Sequence, residues 1–325
     1  MPNTSVMIRV PATVGNFAGA MNCAALALGA SLNVKITPRS DGHTGIRYFG
    51  ENGERVPRDQ SNLIVRAMEA ALHLRELEFT GADCEVYSSV PVGVGLGSST
   101  AAVLAGLMAA DRLFRLGLDE KTLFDMAAIY ESRSDNLRAA WAGGFVASVE
   151  NQDAAGYCRT VVPENFVLSV VVPETTLAAG RRERPGDRIA AKELAGHQQR
   201  AAGLAQFFAR LENAPSLDLA MPLPPTCVKA VAGLSDALQV RTPGLLSVFA
   251  CGSGPAVGIL AQEDTAGAVQ AVRECFARRG VATTATEFHP SNMGAREWNA
   301  VHPEISLPAT KPLAALLEKS TLIMV

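Results

Sequence analysis

Residues 91–101 read PVGVGLGSSTA, with three glycines at alternate positions followed by two serines. Glycine lets a ligand approach the backbone closely, and the alanine-rich stretch that follows predicts a helix whose first N–H groups face the same place. Phosphate is the ligand that such a helix start typically binds. A simple strand-to-helix turn needs neither three alternating glycines nor two hydroxyls, so we favour phosphate binding. The predicted nucleotide-binding residues are Pro91, Val92, Gly93, Val94, Gly95, Leu96, Gly97, Ser98, Ser99, Thr100 and Ala101.

Two common phosphate-binding patterns do not fit this stretch. No lysine follows the last glycine, as a Walker A loop requires, and Ser98 stands where the dinucleotide fingerprint has its third glycine. A different family of phosphate-binding proteins is therefore required.

The six cysteines form no CxxC pair and the five histidines form no HExxH arrangement, which argues against a zinc site and for buried, reduced thiols.

The composition is that of a globular protein. The chain has 325 residues, of which 48% are hydrophobic, and this length is sufficient for two domains. The formal net charge is -3 with interleaved signs, so nothing resembles a basic surface for nucleic acid or anionic lipid. The N-terminus lacks a signal-peptide pattern, and the longest apolar run, 101–110, is too short to span a bilayer. We expect a cytoplasmic protein that binds neither nucleic acid nor membrane.

Strand and helix patterns alternate along the chain without strict βαβ repetition. Ser61 is predicted to cap a helix that follows it, and Asp119 a helix over 118–131. The segment SRSDN is predicted to interrupt helical structure before a glycine turn and a strand. Near the C-terminal end, LLSVFACGSGPAVGILAQ is predicted to form a strand, a glycine turn and a strand. This order of elements predicts an α+β fold with two domains.

The glycine stretch resembles the PxxxGLGSSAA nucleotide loop of the GHMP small-molecule kinases. Three further stretches resemble the homoserine kinases of that superfamily, in the same order along the chain. VPATVGNFAGAMNCAALAL is similar to their opening VPATSANLGPGFDxxGLAL, YESRSDNLRAAWAGGFV to EGHPDNVAPALLGGFV, and CGSGPAVGIL to SGSGPTVFAL. The chain is thus identified as similar to homoserine kinases over most of its length.

The resemblance implies a fold and an activity. The N-terminal domain, residues 1–155, is expected to bind ATP and to be like domain 2 of ribosomal protein S5. The C-terminal domain, residues 156–325, is expected to be ferredoxin-like. The implied reaction is ATP-dependent phosphorylation of the hydroxyl of homoserine or of a related small hydroxylated metabolite. Dimers are common among such kinases, so a homodimer is a further expectation.

The resemblance also implies a metal site and a catalytic carboxylate. Ser98 or Ser99, together with Glu131, would hold the Mg²⁺ of Mg-ATP, and these hard oxygen ligands are the kind that Mg²⁺ prefers. Asp135 is the candidate to orient the acceptor hydroxyl. Asp135 and Glu131 are together the implied catalytic residues. An Asp-Asn pair in a loop is as commonly a turn or a cap, so both interpretations of Asp135 stay open.

The acceptor site is implied by residues from both halves of the chain. Arg181 and Arg182 resemble an arginine-bearing loop that grips a substrate carboxylate, although three clustered arginines also fit a solvated basic loop. Asn22 stands in place of the family Asp, and an amide cannot neutralise a substrate ammonium, which predicts a remodelled acceptor pocket. The implied substrate-binding residues are Asn16, Asn22, Asn136, Arg181, Arg182, Ser253 and Gly254.

Two other functions are alternatives to a kinase. A protein of the same fold could bind nucleotide or metabolite as a sensor without catalysis, but a sensor has no need of the retained serines and Glu131. An RNA-binding module is conceivable because the N-terminal half shares its expected fold with a ribosomal protein domain, and fold alone does not carry function. The negative net charge argues against RNA.

Overall fold

The computed structural model describes residues 5–131, 134–150, 155–164, 166–174, 191–209, 231–261 and 265–298. Eleven strands and seven α-helices lie in these ranges. The strands are β1 (Val6–Gly15), β2 (Ala24–Pro38), β3 (Thr44–Gly50), β4 (Ala82–Ser88), β5 (Phe145–Glu150), β6 (Ala155–Thr160), β7 (Leu168–Pro173), β8 (Leu245–Ala250), β9 (Val257–Ala261), β10 (Thr283–Phe288) and β11 (Arg296–Glu297). The helices are α1 (Leu63–His73), α2 (Ser98–Phe114), α3 (Glu120–Ala127), α4 (Ser134–Ala142), α5 (Ala191–Ala209), α6 (Leu234–Ala237) and α7 (Ala266–Ala277).

The first sheet has seven strands in the order β11-β1-β2-β4-β3, with β5 beside β2 and β6 beside β5. Only β3 and β4 pair in parallel; the other described pairs of this sheet are antiparallel. Strand β4 is buried at every second residue, as expected for a strand with one face on the core. Helices α1 and α2 cover that face, and Val65, Met68 and Leu104 are fully buried in the resulting core.

The second sheet has four strands in the order β10-β7-β9-β8. We call this sheet with its helices the second unit. If its strands β7, β8, β9 and β10 are numbered 1 to 4, they lie in the order 4-1-3-2. Helix α5 and the short α6 follow its first strand, and α7 connects its third and fourth, which is the β-α-β-β-α-β pattern of a ferredoxin-like fold. The α+β class and the ferredoxin-like second unit are therefore confirmed.

A shared core joins the two sheets. Phe17, from the loop after β1, is fully buried there, and its ring lies 5.1 Å from that of Phe249 in β8 and 5.8 Å from that of Phe145 in β5. Helix α5 adds Leu204 and Phe208 to the same cluster. Burial of several aromatic rings in one cluster fixes the two units against each other, because each ring removes a large apolar area from water.

The chain returns to the first sheet after β10. The Gly29 N–H donates to the His289 carbonyl oxygen, the Gly144 N–H to that of Ser291 and the Trp298 N–H to that of Met7. Between these bonds, β11 pairs with β1. Because β6 and β11 both belong to the first sheet, that sheet includes residues on the far side of the predicted division at 155. The division of the chain at that residue stays a prediction.

Three sequence expectations about helix boundaries were wrong. The cap of α1 is Asn62, whose side-chain oxygen accepts from the Ile64 N–H at 2.9 Å, while the predicted cap Ser61 bonds Asp59 instead. The segment predicted to interrupt helical structure begins α4 at Ser134. Asp119 does cap its helix, but α3 ends at Ala127, before the predicted end at 131.

Candidate active site

The predicted phosphate loop connects β4 to α2 and ends at Gly97, the N-cap of α2. Gly93, Gly95 and Gly97 all have positive φ values, of 80°, 100° and 73°, which side chains other than hydrogen rarely allow. A β-carbon at Gly93 would meet nothing within 4 Å, so this part of the loop borders open space. The first N–H groups of an α-helix have no partner within the helix. The loop therefore combines an open approach with the N-terminal donors of a 17-residue helix.

Gly95 and Gly97 allow close packing within the protein on the side where a β-carbon would stand. A β-carbon at Gly95 would lie 2.0 Å from the Cys251 carbonyl oxygen, and one at Gly97 would lie 2.2 Å from Thr13 Oγ1. The Thr13 N–H also donates to the Leu96 carbonyl oxygen at 3.2 Å. Close approach of a ligand was the expected reason for the alternating glycines, and it fits the open space at Gly93. Gly95 and Gly97 let the turn before β9 and strand β1 reach the loop.

Glu131 lies beside the hydroxyls at the start of α2. Its Oε2 accepts from Thr100 Oγ1 at 2.7 Å and from Ser99 Oγ at 3.3 Å. Ser98 is turned toward the loop, where its Oγ accepts from the Gly93 N–H at 3.4 Å. Of the two serines predicted as metal ligands, the structure therefore brings Ser99 to Glu131. The sequence analysis placed Thr100 in the loop without linking it to Glu131.

Asn16 joins three parts of the chain. Its backbone N–H donates to Asp135 Oδ2 at 3.3 Å, and its side-chain Nδ2 donates to the Gly252 carbonyl oxygen at 2.9 Å. Its Oδ1 accepts from the Asn22 N–H at 3.0 Å. The residue is 3% exposed and has a left-handed backbone with φ of 55°. Asn tolerates that conformation better than most residues do, which accounts for its type here.

Asp135 and Asn136 lie at the start of α4 and are both buried. An acidic residue in the first turn is favoured by the helix dipole, so Asp135 also stabilises the helix that carries it. Asn136 lies against Gly15, where a β-carbon would be 2.7 Å from Asn136 Oδ1. The structure thus places Asp135, Asn136 and Asn16 in one buried cluster after β1.

The glycine turn between β8 and β9 also reaches the site. The Gly252 N–H donates to the Gly15 carbonyl oxygen at 3.0 Å, and the Ala256 N–H donates to the Val94 carbonyl oxygen at 3.1 Å. Ser253 and Gly254 lie within this turn, which is therefore more than a hairpin because it docks on both β1 and the phosphate loop. Burial raises the pKa of the Cys251 thiol well above its usual range, so this thiol stays protonated.

Some predicted site residues are not placed by the structure. Arg181 and Arg182 lie outside the described residues. Asn22, by contrast, is described: it is half-buried, has a left-handed backbone with φ of 53° and donates its backbone N–H to Asn16 Oδ1. Helix α5 also reaches the site, because its His197 and Arg200 contact residues 18–21, and this contact was not predicted from the sequence. A histidine and an arginine three residues apart on a polar helix gave no signal for that contact.

Among the described ranges, no group of three or more His, Cys, Asp and Glu side chains lies together where it could hold a metal ion. Within the same ranges, the helices are all too short or too polar to cross a bilayer.

Comparison with known proteins supports one family. A profile described as the GHMP kinases N terminal domain matches residues 62–144, which include the phosphate loop and Asp135. The homoserine kinase of Streptomyces coelicolor is 33% identical over 284 residues, covering 82% of this chain and 88% of the relative. The chain belongs to the homoserine kinase family of GHMP kinases.

Other relatives agree with this family assignment. The homoserine kinase of Solibacter usitatus is 28% identical over 287 residues, covering 86% of this chain and 93% of the relative. The crystal structure of homoserine kinase from Cytophaga hutchinsonii has the same fold, with a TM-score of 0.69 at 20% identity over 92% of this chain and 98% of that one. As a member of the family, the protein is a kinase that uses ATP to phosphorylate a hydroxyl group.

Proposed function

We propose that the protein transfers a phosphoryl group from ATP to the hydroxyl of homoserine or of a closely related hydroxylated amino acid. The observation that carries the proposal is the position of Asn16, which links Asp135 to the Gly252 turn, while that turn in turn contacts the phosphate loop. A nucleotide loop and an acceptor cluster are thereby held next to each other. The similarity to enzymes named homoserine kinase supports this choice of acceptor.

We propose that the backbone amides of residues 95–99 cradle the nucleotide phosphates. The N-terminal donors of α2 favour negative charge there through the helix dipole. The negative charge of Glu131 lies at the same helix end and would repel phosphate unless a cation stood between them. This arrangement supports a role for Glu131 in holding a cation rather than in binding phosphate directly.

The chemistry of the donors fits Mg²⁺. The hydroxyls of Ser99 and Thr100 both lie within hydrogen-bond distance of Glu131 Oε2, and all three are hard oxygen atoms. Mg²⁺ keeps several waters, so one carboxylate and one hydroxyl are a sufficient protein contribution. We propose Glu131 and Ser99 as its ligands. When bound, Mg-ATP supplies the phosphoryl group and neutralises charge on the phosphates.

On the acceptor side, we propose that Asp135 orients the acceptor hydroxyl for attack. Phosphoryl transfer depends on positioning more than on covalent help from the protein. Asn22, Ser253 and Gly254 border the same loop and turn, and they are proposed to contact the acceptor. Asn16 and Asn136 belong to this cluster, but their burial favours a role in shaping it. Arg181 and Arg182 remain proposed carboxylate ligands because guanidinium binds carboxylates in bidentate fashion.

The test is ADP release by the purified protein with Mg-ATP over a panel of homoserine, threonine, serine and mevalonate-like hydroxy acids. We expect homoserine or a near analogue to give the highest kcat/KM. Turnover of another acceptor with homoserine ignored would show that the exchange at Asn22 has redirected the site. Binding of ATP without turnover on any acceptor would instead support the sensor interpretation, which the kinase relatives do not favour. A cytoplasmic location and a homodimer stay predictions.

A further inference from the structure

Helix α5 presents one face to the loop that follows β1. We call residues 16–22 the acceptor loop, because they include Asn22, which is proposed to contact the acceptor, and Asn16, which is proposed to shape its site. Ala201, Leu204 and Phe208 of α5 are buried in the core that also holds Phe17 of this loop. His197 and Arg200 precede them at helical spacing, so they lie on the same face of the helix. The apolar part of this face anchors Phe17, and its polar part meets the residues that follow.

The acceptor loop has an unusual backbone. Asn16, Ala18, Gly19 and Asn22 all have positive φ values, of 55°, 47°, 82° and 53°. For Ala18 the left-handed conformation is unfavourable, since its β-carbon approaches the following carbonyl oxygen. A loop of this kind keeps its shape only when its surroundings hold it. The contacts that do so are therefore of functional interest.

His197 and Arg200 both bond to carbonyl groups of this loop. His197 Nδ1 lies 3.1 Å from the Gly19 carbonyl oxygen and 3.4 Å from the Met21 backbone nitrogen. Arg200 Nη1 donates to the Ala18 carbonyl oxygen at 3.2 Å. Two consecutive carbonyl groups in the left-handed part of the loop are thus bonded from one helix of the second unit.

The local hydrogen bonds indicate which role His197 Nδ1 plays. The Met21 N–H already donates to the Gly19 carbonyl oxygen at 3.1 Å, which is shorter than its distance to Nδ1. If Nδ1 were deprotonated, two hydrogen-bond acceptors, Nδ1 and the Gly19 carbonyl oxygen, would lie 3.1 Å apart and repel each other. The consistent arrangement has Nδ1–H donating to the Gly19 carbonyl oxygen.

We infer that His197 and Arg200 are positioning residues that hold the acceptor loop in its left-handed conformation and thereby set the affinity for the acceptor. The inference rests on the proposed function in so far as it assigns the acceptor to this loop. It makes the second unit, through α5, a determinant of acceptor binding. Their hydrogen bonds to the acceptor loop go to residues 18–21, so we expect changes at these two residues to affect acceptor affinity more than affinity for ATP.

The test separates a donor at position 197 from an acceptor. His197→Asn keeps a side-chain donor that can reach the Gly19 carbonyl, whereas His197→Asp has nearly the same shape but offers only acceptors. Gln199→Ala is the control, since Gln199 lies on the same helix with an exposed side chain. We expect His197→Asp to raise KM for the acceptor about tenfold, the effect of losing one hydrogen bond and adding a repulsion, with KM for ATP unchanged. His197→Asn and Gln199→Ala should stay close to the wild type.

Hydrogen–deuterium exchange of the peptide covering residues 18–23 supplies a readout that does not depend on activity. We expect faster exchange there in His197→Asp and in a second variant, Arg200→Met, with no change in the peptide of the phosphate loop. Unchanged exchange in both variants would overturn the inference, as would equal effects of Asn and Asp at position 197. If the wild-type protein ignored homoserine, the proposed function would fail while the exchange measurement still decided the role of α5.

Discussion

The Cα of Gly95 lies so close to the Cys251 carbonyl oxygen that a β-carbon at residue 95 would stand 2.0 Å from it. This contact joins the phosphate loop to the turn of the second sheet. We expect Gly95→Ala to lower the free energy of unfolding by about 3 kcal/mol, because it adds an overpacked contact to a backbone with φ of 100°. KM for ATP should rise in the same variant, since the loop must move to accept the methyl group. Urea unfolding and initial rates measure the two effects.

Gly93→Ala is the matched control for that substitution. It shares the positive φ but has nothing within 4 Å of the added methyl group. Only the conformational cost remains, about 1 kcal/mol for a non-glycine residue in the left-handed region. Equal destabilisation by the two alanines would show that the Gly95–Cys251 contact does not constrain the loop.

Glu131→Gln should abolish most Mg²⁺-dependent turnover while leaving the protein folded. The amide can still accept a hydrogen bond from Thr100, but it lacks the negative charge that holds a divalent cation. We expect kcat to fall by about 100-fold, the order of magnitude for losing one electrostatic contact to the reacting phosphates. Glu120→Gln is the control, because Glu120 bonds Trp141 and Tyr157 away from the loop. Full activity in Glu131→Gln would remove the metal assignment.

Asp135→Asn distinguishes an orienting carboxylate from a purely structural one. The asparagine can still accept the Asn16 N–H, so a structural role would survive the exchange. If the carboxylate orients the acceptor hydroxyl, kcat should fall by about 100-fold or more with an unchanged melting temperature. A normal kcat would restrict Asp135 to holding the loop and stabilising the first turn of α4. Circular dichroism and steady-state rates on the same preparation give both values.

Asn22→Asp should increase affinity for an acceptor that carries an ammonium group. The backbone at residue 22 is left-handed, which Asp tolerates almost as well as Asn, so the exchange changes charge more than shape. A charge-assisted hydrogen bond exceeds a neutral one by about 1 kcal/mol, so KM for homoserine should fall about fivefold. Asn52→Asp makes the same exchange at another left-handed residue and should change nothing. An unchanged KM in Asn22→Asp would place the ammonium elsewhere.

Cysteine labelling in the native protein should favour Cys158. Of the described cysteines, Cys23, Cys84, Cys251 and Cys275 are buried, whereas Cys158 is exposed, contrary to the expectation of uniformly buried thiols. Burial raises the pKa of Cys84 to about 12, so its reactive thiolate is scarce at neutral pH. Peptide mapping after brief treatment with iodoacetamide should find residue 158 modified before these four. Prior labelling of Cys84 would show that the first sheet opens readily.

Local features of the fold were predictable where a residue type strongly favours one local structure, such as a turn or a helix cap. The glycine and serine stretch correctly predicted a loop followed by a helix, and this helix, α2, begins at Ser98. Asp119 was correctly predicted as a cap, whereas Ser61 was wrong because the next residue, Asn62, can cap as well and is the buried one. Helix α4 was missed because its polar first turn, Ser134 and Asp135, has the composition of a loop.

The site was less predictable, because its contacts join distant parts of the chain. Motif similarity indicated Asn16, Asp135 and Gly254, but not that Asn16 bonds the Gly252 carbonyl 236 residues away. The packing of Gly95 against Cys251 has no local signature either, since it depends on how the second sheet docks. The residue types of the proposed site were thus indicated by motif similarity, while the contacts of Gly95 and Asn16 depend on how the two sheets dock.

The return of the chain to β1 through β11 affects the order in which the protein can be completed during synthesis. A ribosome releases β1 through β6 long before residue 296, so the growing first sheet has an unpaired edge at β1 until the whole second unit has emerged. An exposed strand edge can pair with other chains. The last described residues therefore close the sheet that the first ones began, and a nascent chain halted before them presents an open β1 edge to its neighbours.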